Sequence, residues 1–406
     1  MLQKSNYLRH LDISILAATL ILIIVGLLAI YSATLTNHPE NFQKQLLWSI
    51  LGVFIILPVI ILTPLQFFYK YAYTIYGFTI LLLFLVLIVG EGSGAKRWLS
   101  LGFVTIQPAE LAKIGTLLAL AKFLSHEKVN FKRFRDFIIP FFLILLPLGL
   151  IISQPDLGTS LVFLALLLPM LFWAGLSSLY LFIMLAPVLS FISAFNYYSF
   201  LFTMIVICLV LFFAQRGIRF FLINFVINIV AGIFTPILWN SLKDYQQKRI
   251  LTFLGIMTDP HGLNYQVIQS KVAIGSGGFW GKGFLQGTQT HLRFLPEQHT
   301  DFIFSVIGEE FGLIGAIFIL ALFLLILWRS INLASIVKSR FSSLLIVGGM
   351  VILVFQIFVN VGMTVGILPV TGLPLPFLSY GGSSLMTNLT IIGLILNASY
   401  RRFVYL

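Results

Sequence analysis

The sequence predicts an all-α fold, a polytopic membrane helical bundle, and three observations lead there. Of 406 residues, 59% are hydrophobic and 9% charged, and the mean hydropathy is +1.03, far from the balance of a water-soluble domain. The apolar residues fall in continuous runs of roughly 17 to 25, the length a helix needs to cross a hydrocarbon core about 30 Å thick. Those runs do not alternate, which selects helices over the strands of a closed barrel, the other architecture that satisfies its backbone in lipid. The third observation is that only one long stretch, 239–300, interrupts the apolar pattern.

The runs place helices near Ile13 to Ser32, Leu46 to Leu62, Tyr73 to Val89, Glu110 to Leu124, Phe137 to Ile152 and Leu157 to Trp173. Six more follow near Leu179 to Phe195, Phe200 to Phe213, Phe220 to Trp239, Phe302 to Trp328, Leu344 to Val365 and Leu385 to Leu396. The eighth is short and close to the seventh, so merging or re-entry would reduce the twelve spans to ten or eleven. The first run is too long for a signal peptide and lacks a small-x-small cleavage site.

Basic residues collect at alternate span ends: Lys4 and Arg9, Lys70, the run Lys128, Lys132, Arg133 and Arg135, then Arg216 and Arg219, Lys338 and Arg340, and Arg401 and Arg402. Such residues stay in the cytoplasm, so both termini are expected inside and the long loop outside. By that assignment roughly ten of the thirteen acids lie on or near the outer face. The net charge of +12 therefore reflects topology and suits anionic membrane lipids; it does not point to nucleic acid. The expected organisation is 1–238 N-terminal helices, 239–300 an extracytoplasmic catalytic loop, and 301–406 C-terminal helices. The single cysteine, Cys208, excludes an intramolecular disulfide.

Charged residues at membrane depth are costly and usually face a cavity or one another. Glu110 and Lys113 share a helix face at i,i+3 spacing, and the sequence reads them either as an ion pair open to an outward-facing cavity or as a bridge locking two helices. Lys122, nearer the inner end, reads as snorkelling. Asp156, in Gln154-Pro155-Asp156-Leu157-Gly158, caps the next helix or serves chemistry. Glu309 and Glu310 point about 100° apart, so one is expected to pair with a basic neighbour and the other to sit near the outer rim.

The loop 239–300 holds six Lys/Arg, three acids and three of the six histidines, together with many glycines. That inventory suits glycosyl transfer from a lipid-linked diphosphate, which needs a base for the attacking hydroxyl and positive charge for the departing phosphates. Asp244 has basic neighbours to pair with and Glu297 is placed to cap the returning helix, which leaves Asp259 as the base. The following Pro260 and Gly262 also allow a turn-capping role. Arg249, Lys271 and Lys282 are candidates for the diphosphate, or for lipid headgroups. The run Ile274-Gly275-Ser276-Gly277-Gly278 through Gly281-Lys282-Gly283 permits close approach of a ligand and lacks the Walker pattern. His261, His291 and His299 have no zinc spacing. No cofactor is certain; Mg²⁺ or another divalent cation bridging Asp259 and the diphosphate is compatible with the sequence. Pro369, Pro374, Pro376 and Gly381-Gly382 read as broken backbone re-entering a helix, expected only where it lines a cavity or is buried in protein.

Five motifs in order carry a family resemblance: GAKRWLSLG from Gly94, QPAELAK from Gln107, QPDLGTS from Gln154, the run from Asp259 (DPHGLNYQVIQSKVAIGSGGFWGKGFLQGTQTHLRFLPEQHTDFIFSVIGEEFG), and NVGMTVGILPVTGLPLPFLSYGGSS from Asn360. Over nearly its whole length the chain resembles the SEDS family of cell-wall polymerases, in wording closest to the RodA branch that serves elongation. The resemblance implies a peptidoglycan glycosyltransferase that polymerises lipid II into a nascent glycan strand on the outer face of the bacterial cytoplasmic membrane. A class B penicillin-binding protein would be its transpeptidase partner. It also implies that Asp259 is the essential aspartate and that Glu110 and Lys113 lie near the central cavity.

Three departures stand out. Phe253-Leu254-Gly255-Ile256 replaces the family's Phe-Leu-Asp-Pro, and Asn264 stands where a glycine usually precedes the tyrosine. Two extra apolar segments lie between Leu176 and Trp239, beyond the family's ten core spans. The competing functions are a lipid II flippase, disfavoured by the large loop and the lack of an internal repeat, and a non-catalytic scaffold for the transpeptidase.

Overall fold

The structure is a computed structural model that describes residues 11–35, 39–91, 96–100, 102, 105–126, 129, 131, 134–242, 247–248, 251, 263–291 and 298–403. Its elements are α1 (Ile13–Thr34), α2 (Pro39–Leu62), α3 (Leu65–Val89), a hairpin of β1 (Leu99–Ser100) and β2 (Thr105–Ile106), α4 (Pro108–Ser125), α5 (Phe134–Ile152), α6 (Leu157–Trp173), α7 (Ser178–Ser193), α8 (Tyr197–Phe213) and α9 (Ile218–Ser241). Then come α10 (Leu263–Gly277), α11 (Thr288–His291), α12 (Ile303–Ile336), α13 (Arg340–Thr364) and α14 (Gly382–Tyr400). Each of the twelve apolar stretches is helical, and α7 and α8 are separate because Asn196 breaks the chain and caps α8 through Tyr198 N and Ser199 N. Six helices, α1, α2, α3, α9, α12 and α13, are long and apolar enough to cross a membrane, and α5 to α8 are shorter apolar helices. The protein is a polytopic membrane protein.

The chain divides into two compact units, Met1–Met170 with Asp259–Leu406, and Leu171–Thr258. The second contains α7, α8 and α9, packed around Ala186, Met204, Ile207 and Leu211 with a surround of phenylalanines. Its buried polar groups find partners: Ser190 Oγ donates to Asn228 Oδ1 at 2.9 Å, and Asn228 Nδ2 donates to the Asn224 carbonyl at 2.7 Å.

The first unit closes its helix ends with side chains, as a bundle in lipid must. Asp12 accepts from Ser14 N and Ile15 N at the start of α1 and pairs with Arg329 of α12 at 2.9 Å. At the end of α2, Asn397 Nδ2 donates to the Ile60 and Thr63 carbonyls at 2.6 and 2.7 Å. Arg401 reaches the Ile61 and Leu62 carbonyls, both at 2.9 Å. Lys122 donates to the Lys70 carbonyl at 3.1 Å and lies over the rings of Tyr69 and Tyr73, so its stem and charge are both used at that end of α4. The β1–β2 hairpin pairs Leu99 with Ile106 and Ser100 with Thr105; the sequence reading held no strand.

Helix α10 turns part of the predicted loop into bundle. Ser270 and Ser305 share a hydrogen bond at 2.6 Å, Ile274 lies against Gly308, and Gly277 against Gly308 and Glu309. The partners advance together along the chain, so α10 runs parallel to the first turns of α12. The 373–379 stretch is likewise buried in protein: Leu373, Leu375, Phe377 and Leu378 are all 3% exposed or less.

Candidate active site

Helix α4 opens with Pro108 in its first turn, after extended Gln107, where a missing N–H costs nothing. One turn further, Lys113 Nζ meets Glu110 Oε1 at 2.6 Å, with the two side chains 1% and 2% exposed. The pair forms as the spacing predicts, but the expected opening of its charged ends to a cavity is not seen; both are enclosed. Glu110 Oε2 has no hydrogen-bond partner among the described residues.

Helix register shows which faces of α4, α13 and α14 carry the buried polar groups. Gly348 of α13 faces Leu117 of α4, and Gly349 faces Ile391 of α14. At 100° per residue, Lys113 and Glu110 lie on the Leu117 side of α4, toward α13. Gln356 and Asn360 lie on the Gly349 side of α13, and Thr387 and Asn388 flank the Ile391 side of α14. All are 2% exposed or less. Among the described residues Thr116 Oγ1, both amide atoms of Gln356, Asn360 Oδ1, Thr387 Oγ1 and Asn388 Oδ1 also have no partner. Buried polar atoms are normally satisfied, so this set of groups on α4, α13 and α14 stands out from the rest of the bundle. The sequence reading missed Gln356, Asn360, Thr387 and Asn388; the available signal was amide side chains four apart inside an apolar span.

The other candidates separate into three groups. Asp156 is committed to capping: Oδ1 accepts from Thr159 N at 3.1 Å, and Oδ2 accepts from Thr159 Oγ1 at 3.0 Å and Gln107 Nε2 at 3.2 Å. It thereby ties the start of α6 to the start of α4. Arg97 of the hairpin region donates to the Gln154 carbonyl at 3.0 Å and to the Pro155 carbonyl, supporting the same turn. Lys271 is exposed on α10, and its side-chain end lies over Gly366, beyond the end of α13. Asp259 and Arg249 lie outside the described residues.

Lys282 already has partners: its Nζ lies 2.7 Å from Glu309 Oε1 and 2.7 Å from Thr288 Oγ1, so its charge neutralises a carboxylate of α12. The glycine run is also used internally, because a Cβ at Gly277 or Gly281 would overlap the backbone of Gly308 or Glu310. Nor does either glutamate sit at a rim: Glu309 and Glu310 are 0% and 1% exposed, and Glu310 accepts a hydrogen bond from Ser32 of α1.

Segments 298–302 and 366–381 roof this end of the unit. Tyr380 N donates to the His299 carbonyl at 2.9 Å, Ser379 Oγ to the Thr300 carbonyl at 2.6 Å, and Asn360 Nδ2 to the Asp301 and Leu373 carbonyls at 3.0 and 2.7 Å. Burial, with the charge of Glu40 second, raises the Tyr380 phenol above its ordinary pKa, so it stays a neutral hydroxyl at neutral pH. Among the described residues no three His, Cys, Asp or Glu side chains converge as a metal site.

Similarity to known proteins agrees with this architecture. The family profile described as cell cycle protein, FtsW/RodA/SpoVE, matches residues 12–201 and 196–403. The peptidoglycan glycosyltransferase MrdB of Escherichia coli K12 is 37% identical over 97% of this chain and 94% of its own length. The peptidoglycan glycosyltransferase RodA of Treponema pallidum is 34% identical over 96% and 98%. Among solved structures, a chain of a peptidoglycan synthase complex coordinating polymerization and crosslinking superposes with a TM-score of 0.74 at 33% identity, covering 97% of this chain and 98% of that one. The rod shape determining protein RodA of Thermus thermophilus gives 0.63 at 28%, covering 97% and 98%. With the profile and these relatives spanning nearly its whole length, the chain belongs to the FtsW/RodA/SpoVE family, the SEDS family that its motifs resemble.

Proposed function

We propose that this protein is a peptidoglycan glycosyltransferase that polymerises lipid II at the roofed end of the first unit, with that end outside the cytoplasmic membrane and both termini inside. The observation that supports it most is the enclosed Glu110–Lys113 pair among open acceptors on α4, α13 and α14, in a chain whose full-length relatives bear the name peptidoglycan glycosyltransferase. A structural bridge alone would not need a free carboxylate oxygen beside four other unsatisfied side chains on facing helices.

In this reading Asp259 accepts the proton of the sugar hydroxyl as its oxygen attacks the anomeric carbon of the lipid-linked donor. The bond from that carbon to the diphosphate breaks, and Lys271 and Arg249 neutralise the leaving oxygens. General-base assistance of this kind is worth about 10² to 10⁴ in rate. Glu110 and Lys113 shape the floor of the site. A divalent cation such as Mg²⁺ would add charge neutralisation at the diphosphate, and loss of activity on chelation would be its signature. The partner is a class B penicillin-binding protein, in line with the synthase complex that contains a similar chain, and the basic inner face meets anionic lipids.

Purified protein and lipid II in detergent, where there is no membrane to cross, should yield glycan polymer. No polymer under any detergent or partner condition would leave the flippase or scaffold reading. A cysteine at exposed Gln286 should react with an impermeant reagent from outside; reaction only after the inner face is opened would reverse the topology.

A further inference from the structure

Helix α12 is broken at Gly312, whose φ of 64° and ψ of −162° are not helical. In an unbroken helix Leu313 N would bond to the Glu309 carbonyl and Ile314 N to the Glu310 carbonyl. Those four groups instead pair with the turn after α10. The Glu309 and Glu310 carbonyls each accept at 3.0 Å, from Lys282 N and Gly283 N, while Leu313 N and Ile314 N donate to the Gly278 and Phe279 carbonyls at 2.9 and 3.3 Å. The break in one element and the turn of the other complete each other, which backbone at membrane depth requires.

A charged contact is laid over this exchange. Glu309 Oε1 accepts from Lys282 Nζ at 2.7 Å, from Gln289 N at 2.9 Å and from Thr288 Oγ1 at 3.2 Å. The carboxylate is 0% exposed and the lysine 26%. A buried carboxylate deprived of its cation is strongly unfavourable, whereas removing both charges is often neutral. One carboxylate thus gathers both the turn after α10 and the returning chain at 288–289.

We propose that Lys282 and Glu309 are positioning residues that clamp the α10 turn to α12 and so set the placement of α10, whose first residue follows Asp259 by four positions. The proposal rests on the reading that Asp259 performs the chemistry. Neither Lys282 nor Glu309 touches substrate.

The test compares Lys282→Met, Lys282→Arg, Glu309→Gln and the double variant Lys282→Met/Glu309→Gln, each normalised to folded protein by gel filtration in detergent. Lys282→Met should lower kcat for lipid II polymerisation tenfold or more with KM changed less than threefold. Lys282→Arg should stay within threefold of the parent. The double variant, which removes both charges of the pair, should recover to within threefold as well. Equal impairment of Lys282→Met and the double variant, or a tenfold rise in KM in both, would show that Lys282 acts on substrate and would overturn the clamp. If Lys282→Met does not fold, the double variant alone decides by the same limits.

A second readout does not depend on activity. With Cys208→Ala as background, a cysteine at Ala273, 0% exposed on α10, should react with maleimide at least tenfold faster in Lys282→Met and return to the parental rate in the double variant. Unchanged labelling across the series would reject the clamp even if the parent polymerises lipid II. Restored labelling with no polymer from any variant would keep the clamp and reject the assigned function.

Discussion

Among the described residues the first unit holds two Glu–Lys pairs with buried carboxylates, and they differ in what is left over. In the Glu110–Lys113 pair both side chains are 2% exposed or less, one carboxylate oxygen has no partner among the described residues, and the neighbouring faces of α13 and α14 add further unsatisfied amide and hydroxyl groups. In the Lys282–Glu309 pair the carboxylate oxygen accepts three hydrogen bonds from Lys282, Thr288 and Gln289, and the lysine reaches solvent. The first pair keeps a carboxylate oxygen without a partner among the described residues. The second is saturated by its own chain. On the proposed reading the first serves the site and the second serves assembly, and hydrogen-bond accounting is what separates them.

The largest expected effect on that comparison comes from Lys113→Met, which strands Glu110 in the bundle. Breaking a buried pair costs about 3 to 5 kcal/mol, so a large fall in thermal stability in detergent should accompany loss of polymerisation. Glu110→Gln should lose activity with the fold and membrane insertion kept. Full activity in both variants would make the first pair a structural bridge like the second. Next comes Gly312→Ala: the backbone there is nearly reserved for glycine, worth about 1 to 3 kcal/mol of strain, and a Cβ would overlap Gly281 N and the Phe279 carbonyl. Its melting temperature should fall; an unchanged value would mean that the exchange with the α10 turn is not built as described. The smallest effect is Gln356→Leu, which removes two buried polar atoms without partners. Stability should rise by about 1 kcal/mol while polymerisation falls. A rise in stability with full activity would take Gln356 out of the site.

The parts legible in the sequence are those that depend on local spacing. Twelve apolar stretches announce twelve helices because lipid demands continuous runs, and Glu110 with Lys113 announces an ion pair because i,i+3 residues share a face. Asp156 before a helix start announces a cap. What stayed hidden is long-range. Lys282 and Glu309 are 27 residues apart, and nothing local distinguishes a lysine that meets a phosphate from one that neutralises a distant carboxylate. At Gly277 and Gly281 the close approach that glycine permits is made by the backbone of α12. The enclosure of Glu310 is hidden from local spacing because its partner, Ser32, comes from α1 near the other end of the chain. Gln356 and Asn388 lie on different helices, and local spacing alone does not show that both are buried with atoms lacking a partner among the described residues.

Asp259→Asn in purified protein, assayed for polymer from lipid II alongside direct lipid II binding, tests the central claim most directly. The substitution keeps the side-chain shape and removes the proton acceptor, so turnover should drop by about 10² to 10⁴ while binding persists. Polymerisation at the parental rate would contradict the account and pass the role of base to another carboxylate, with Glu110 the first to examine.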